Sequence, residues 1–116
     1  MVIRKIETKE DYNSFIKEGN KVVGFHATWC GPCRVLETTL KNLDTEKIGN
    51  TLFGELDVDN EAMEDVIADA RLRNVPVTVF YKNGLEAKRL VGNVPASEIY
   101  NVINTLTEDA VDNNSN

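Results

Sequence analysis

Two cysteines stand three positions apart, in Cys30-Gly31-Pro32-Cys33, and the chain has no others. A pair this close restricts the unfolded chain little, so a purely structural staple is a poor explanation for it. At the start of a helix, the same spacing can do chemistry. Unpaired backbone N–H groups and the helix dipole favour a thiolate on Cys30, the attacking species in disulfide exchange. Cys33, one turn on, is within reach to resolve a mixed disulfide. Cys30 is expected to be the exposed sulfur, with Gly31-Pro32 letting the loop bend tightly. A zinc half-site is the competing reading. Zinc takes four ligands, and two cysteines with the single His26 fall short unless Asp or Glu completes the set. Redox chemistry is expected, and no metal.

The flanking residues place the pair. Lys21 to Ala27 is rich in β-branched and aromatic residues and reads as a buried central strand, with Cys30 at its carboxyl end. Beyond it Leu36, Leu40 and Leu43 recur at helical spacing up to Gly49, so the cysteines lie where a strand turns into a helix. Upstream, Val2 to Ile6 predicts a short strand. Thr8 caps a helix that carries Tyr12, Phe15 and Ile16 on one face and stops at Gly19-Asn20. Downstream, Thr51 to Val58 predicts a second central strand. Asp59 or Asn60 caps a third helix through Met63, Val66, Ile67 and Ala70. Val77 to Tyr81 and Leu85 to Val91 flank Asn83-Gly84, a hairpin signal. Ile99, Val102, Ile103 and Leu106 mark a closing helix begun near Pro95. The order βαβαβαββα predicts an α/β domain with a mixed sheet and helices on both faces.

The chain has 116 residues, enough for one domain, with 41% hydrophobic and 28% charged residues, an ordinary globular balance. No apolar run approaches the length of a membrane crossing. No membrane partner is therefore expected, and a net charge of -6 opposes phosphate binding, so nucleic acid is not an expected partner either. A monomer is expected. Glu108, Asp109 and Asp112 supply -3 of that charge within residues 108–116, leaving about -3 on a domain spanning 1–107. The acidic tail 108–116 is expected to be disordered. The first residues, Met1-Val-Ile-Arg-Lys-Ile-Glu, hold no signal-peptide core, so a cytoplasmic location is expected.

Trp29-Cys30-Gly31-Pro32-Cys33 resembles the active-site segment of the thioredoxin family, and the likeness extends over nearly the whole domain. Asp57-Val58-Asp59, Val75-Pro76, Lys82-Asn83-Gly84 and Val91-Gly92 match the family in chain order. The resemblance implies a five-stranded sheet with four helices, a cis peptide before Pro76, and a protein disulfide reductase that carries electrons and supports cell redox homeostasis. It implies no bound cofactor beyond the redox-active Cys30-Cys33 disulfide, which a flavin-containing, NADPH-dependent thioredoxin reductase recharges. By the same resemblance Trp29, Gly31, Pro32, Val75, Pro76 and Gly92 bind disulfide-containing protein substrates, the Val75 peptide groups pairing with them strand-fashion.

Three positions depart from the family. Gly24 stands where the family usually has a buried Asp thought to accept the proton of the resolving thiol. Glu55 replaces that Asp's Lys neighbour, and Thr38 replaces a helix proline, which predicts a straighter helix. Glu55 either leans into the space beside Gly24 and accepts the proton of Cys33, directly or through water, or bends to solvent and leaves Cys33 without a dedicated base. His26, where an aromatic is common, either tunes the thiols or simply fills space. Two other functions remain open: a protein oxidant or isomerase, although those commonly carry His between the cysteines, and a thioredoxin-fold subunit of another enzyme with incidental thiols.

Overall fold

The structure, a computed structural model, describes residues 1–115 along the backbone and the side chains of 1–107. The acidic tail expected at 108–116 lies outside the fully described residues. Strand β1 (Ile3–Lys5) leads through α1 (Lys9–Ile16) to β2 (Asn20–His26), then α2 (Gly31–Lys41), α3 (Thr45–Ile48) and β3 (Leu52–Asp57). A 3-10 turn (Glu61–Met63) opens α4 (Glu64–Ala70), followed by β4 (Val77–Lys82), β5 (Leu85–Val91) and α5 (Ala96–Ser115). Local chemistry sets most of these boundaries. The Thr8 hydroxyl accepts from the Asp11 N–H at 3.1 Å, as expected of a cap. Asn83 and Gly84 both take positive φ, which closes the β4–β5 hairpin.

The sheet runs β1-β3-β2-β4-β5, with β1, β3 and β2 parallel and β4 antiparallel to both of its neighbours, β2 and β5. Val23, Phe25 and Val79 on one face meet Phe15, Ile16 and Val66 from α1 and α4. Val22, Phe53 and Phe80 on the other meet Leu36, Leu40, Ile99 and Ile103 from α2 and α5. Each large apolar side chain buried in this way stabilises the fold by about 1.5–3 kcal/mol. Under α1, the Tyr12 and Tyr81 hydroxyls are bonded at 2.5 Å, and burial pushes both phenols above their ordinary range.

Among the described residues there are five helices where four are expected, because the apolar spacing Leu36, Leu40, Leu43 continues across a break. Asn42 and Asp44 leave helical geometry, and the Asp44 carboxylate caps a new, four-residue α3 by accepting from the Glu46 N–H at 2.9 Å. Leu43 stays buried on the same face although it belongs to neither helix. Thr38 sits within an unbroken α2, its hydroxyl donating to Arg34 O at 3.2 Å.

Candidate active site

The chain leaves the central strand β2 at His26 and turns through Ala27–Cys30, closed by a bond from the Cys30 N–H to Ala27 O at 3.3 Å. The turn therefore precedes Cys30. Gly31, expected to make the bend, is instead the first helical residue and has no positive φ. A Cβ at Gly31 would meet nothing within 4 Å, so the surface beside the sulfurs is open there. Cys30 is the N-cap of α2. Its Sγ accepts from the Cys33 N–H at 3.2 Å, which places an unpaired helix donor on one sulfur and not on the other.

Cys30 and Cys33 form a disulfide. The expectation that Cys30 is the exposed sulfur does not hold in this state: the two residues are 5% and 4% exposed, packed with Ala27, Val58 and Val75. Both sulfurs sit in one apolar cluster, so what separates them is hydrogen bonding. Cys30 Sγ lies 3.9 Å from Val75 O, close enough for a reduced thiol to donate to that carbonyl.

Trp29, 70% exposed, projects beside the disulfide, and its indole N–H donates to Asp59 Oδ2 at 2.8 Å. Trp29 and Val75 share a groove of about 450 Å³ with Val58, Ile67, Leu72 and Arg73. Neither Ile67 nor Leu72 was anticipated here: helical spacing marks Ile67 as core, and Leu72, past the end of α4, follows no pattern. The other expected substrate residues sit differently. Gly31 and Pro32 are exposed on the first turn of α2. Gly92, with φ +83°, donates its N–H to Pro76 O at 2.8 Å and ties the end of β5 to that loop. Pro76, joined to Val75 by a cis peptide, is itself buried and borders a recess behind Cys33.

That recess, about 20 Å³, is bounded by Gly24, Cys33, Leu36, Leu40, His26 and Glu55, among others. It has room for one water molecule. Gly24 pairs with Glu55 across β2 and β3, and a Cβ on Gly24 would find only Leu40 Cδ1 at 3.8 Å and Gly54 O at 3.9 Å. Glu55 does not bend to solvent: its side chain is 13% exposed, with Oε2 3.8 Å from His26 Nε2. Nearby, Glu37 accepts from Lys41 at 2.6 Å, a bond that holds the Glu37 carboxyl below its ordinary range and the Lys41 ammonium above its own. Among the described residues no three metal-ligating side chains converge.

A redox-capable pair at a helix N-terminus, beside a shallow groove, can exchange disulfides with an extended protein segment. The family model Thioredoxin matches residues 3–105. The chain is 35% identical over 98 residues to Thioredoxin-2 of Saccharomyces cerevisiae, covering 83% of this chain and 91% of that one. It is 36% identical over 94 residues to mouse thioredoxin, covering 78% and 87%. Among solved structures it is similar to Fasciola hepatica thioredoxin, with a TM-score of 0.77, 30% identity and coverage of 89% and 98%. Chloroplastic thioredoxin z gives a TM-score of 0.79 at 28% identity, with coverage of 93% and 96%. Fold, cysteine pair and relatives agree: the chain belongs to the thioredoxin family and is a thiol–disulfide oxidoreductase.

Proposed function

We propose that this protein reduces protein disulfides with Cys30 as nucleophile and Cys33 as resolving thiol. The observation that carries the reading is the Cys33 N–H donated to Cys30 Sγ at the N-cap. In the reduced protein this bond, with the helix dipole, favours negative charge on Cys30. The Cys30 thiolate attacks one sulfur of a substrate disulfide, and the other leaves as a thiolate that takes a proton from water. Cys33 then gives up its proton and attacks Cys30 Sγ. The bond from Cys30 to the substrate breaks, the second substrate thiolate leaves, and the Cys30–Cys33 disulfide remains. Two electrons pass from the dithiol to the substrate.

Glu55 accepts the Cys33 proton, directly or through a water in the recess; its burial beside Gly24 supports this role. Trp29 and Val75 hold the substrate segment, with Gly31, Pro32, Pro76 and Gly92 framing the approach. A thioredoxin reductase drawing on NADPH restores the dithiol, so the protein works in the cytoplasm as a monomeric electron carrier for redox homeostasis. The test is insulin reduction, first with dithiothreitol and then with thioredoxin reductase plus NADPH. Acceleration in both arms is expected, and Cys33→Ser should accumulate a Cys30–substrate mixed disulfide detectable by mass spectrometry. No acceleration in either arm, or no trapped adduct, overturns the reading.

A further inference from the structure

We propose that His26 and Glu55 act as one proton-exchange unit behind Cys33, with His26 carrying to solvent the proton that Glu55 receives. The proposal rests on the reductase reading and adds to it the route by which the acceptor is reset. Three observations converge. His26 Nε2 stands 3.8 Å from Glu55 Oε2, too far for a direct hydrogen bond and suited to a bridging water. Both residues border the 20 Å³ recess that Cys33 also borders, where one water fits. Both also line a second, polar pocket of about 470 Å³, together with Lys5, Glu37, Lys41 and Asp57. His26 is the more exposed of the two, 25% against 13%.

The register places the unit on the sheet face that α2 covers. Gly24 pairs with Glu55 on one side and with Thr78 on the other. The Thr78 hydroxyl is buried and has no hydrogen-bond partner among the described residues. Polar groups therefore flank the Gly24 gap on both neighbouring strands, in a layer otherwise built from Val22, Leu36, Leu40 and Phe80. A glycine between them leaves space that any side chain would reduce.

The charged surroundings suit a proton passed outward. Lys5 on β1 pairs in register with Glu55. Asp57 pairs in register with His26, and its Oδ1 accepts from the Asp59 N–H. From α2, Glu37 and Lys41 satisfy one another, and Arg34 donates to Thr28 O. Glu7 completes the rim of the pocket. In the step itself the Cys33 S–H bond breaks, the proton passes through the water to the Glu55 carboxylate, and the sulfur keeps the electron pair with which it attacks Cys30. The loaded unit is neutral. Transfer to the imidazole and then to bulk water returns it to charge -1, ready for the next turnover. An imidazole is the side chain suited to this relay near neutral pH.

The test follows release of the second substrate thiol in single turnovers of the full chain, from pH 5 to pH 9. His26→Phe keeps a ring and so separates proton transfer from space filling. At pH 7 Glu55→Gln is expected to slow release at least tenfold and make it rise with pH throughout. His26→Phe and His26→Gln should slow it threefold to tenfold, and the double variant His26→Phe with Glu55→Gln should be no slower than Glu55→Gln alone. Gly24→Asp, which places a carboxylate against the same recess, should restore part of the rate in Glu55→Gln. If both His26 variants follow the wild-type pH profile, the proton unit is overturned while the reductase reading stands. Wild-type protein that releases no substrate thiol overturns the reductase reading, and the proposal with it.

Discussion

Gly24 and Gly54 sit diagonally across β2 and β3, yet alanine should have opposite effects at the two positions. At Gly24 the nearest atoms to an added Cβ are Leu40 Cδ1 at 3.8 Å and Gly54 O at 3.9 Å, both ordinary contacts. Gly24→Ala then mainly removes conformational freedom from the unfolded chain and should stabilise by about 0.4–1 kcal/mol. No gain is counted for filling the recess, because the methyl group displaces the proposed water. At Gly54 the Cβ would stand 2.7 Å from Ile6 Cδ1 and 3.1 Å from Phe15 Cε2. Ile6 and Phe15 are both core residues, 2% and 5% exposed, so neither can move aside freely. Overpacking of this kind costs about 1–3 kcal/mol. The two variants should therefore differ by about 1.4–4 kcal/mol, or roughly 6–16 °C in Tm at about 4 °C per kcal/mol. Urea unfolding of the oxidised proteins, followed by circular dichroism with slopes compared, measures the difference. Kinetics should run the other way for Gly24→Ala, which should be the more stable protein but slower at the Cys33 step because its methyl group occupies the proton route. A Gly24→Ala protein as unstable as Gly54→Ala would show that the strand face beside Cys33 is filled, and the reasoning about the recess would fail with it.

Alkaline stability should depend on Tyr81. Burial and the Tyr12 hydroxyl raise its folded-state pKa, so the unfolded chain releases this proton first. The stabilisation is present below the ordinary tyrosine value of about 10 and is lost as pH rises past it, by up to about 1.4 kcal/mol per pH unit. Tyr81→Phe should flatten this limb in unfolding curves taken between about pH 9 and 11, while costing about 1 kcal/mol at neutral pH through the lost bond to Tyr12; an unchanged alkaline limb would refute the assignment. Separately, Asp59→Ala removes the acceptor of the Trp29 indole N–H. Because Trp29 is mostly exposed, stability should change by less than about 1 kcal/mol. KM for a protein disulfide should rise several-fold with kcat little affected, and the polarised emission of Trp29, the only tryptophan, should report greater mobility.

What the sequence carries locally is legible in it. The hairpin at Asn83-Gly84, the cap at Thr8 and the helix start after Cys30 each depend on two or three neighbouring residues, and each forms where expected. The break between α2 and α3 is hidden because Leu43 keeps its helical spacing and remains buried while the backbone around it reverses into a cap at Asp44. Ile67 looks like core in one dimension and Leu72 follows no pattern at all, and only the fold brings the two to the groove. The bond from Trp29 to Asp59 joins residues thirty positions apart, beyond the reach of any local pattern. Glu55 is the intermediate case. Strand alternation and the family topology bring it to Gly24, but the burial of its side chain beside His26 is something no periodicity could place.

The near-equal burial of the two sulfurs changes how their division of labour is to be understood. Had Cys30 been open and Cys33 covered, access alone would assign attacker and resolver. With both covered in the oxidised state, the assignment falls to charge, and the surroundings differ in kind. Cys30 Sγ faces a backbone donor at 3.2 Å, which favours the sulfur after its proton has gone. Cys33 borders a recess shared with a carboxylate and an imidazole, groups that can take a proton and give no lasting help to a thiolate. In the proposed mechanism one sulfur waits ionised and the other ionises only when its partner is already joined to substrate. This order matters because a Cys33 thiolate formed too early would compete with Cys30 for the same dipole.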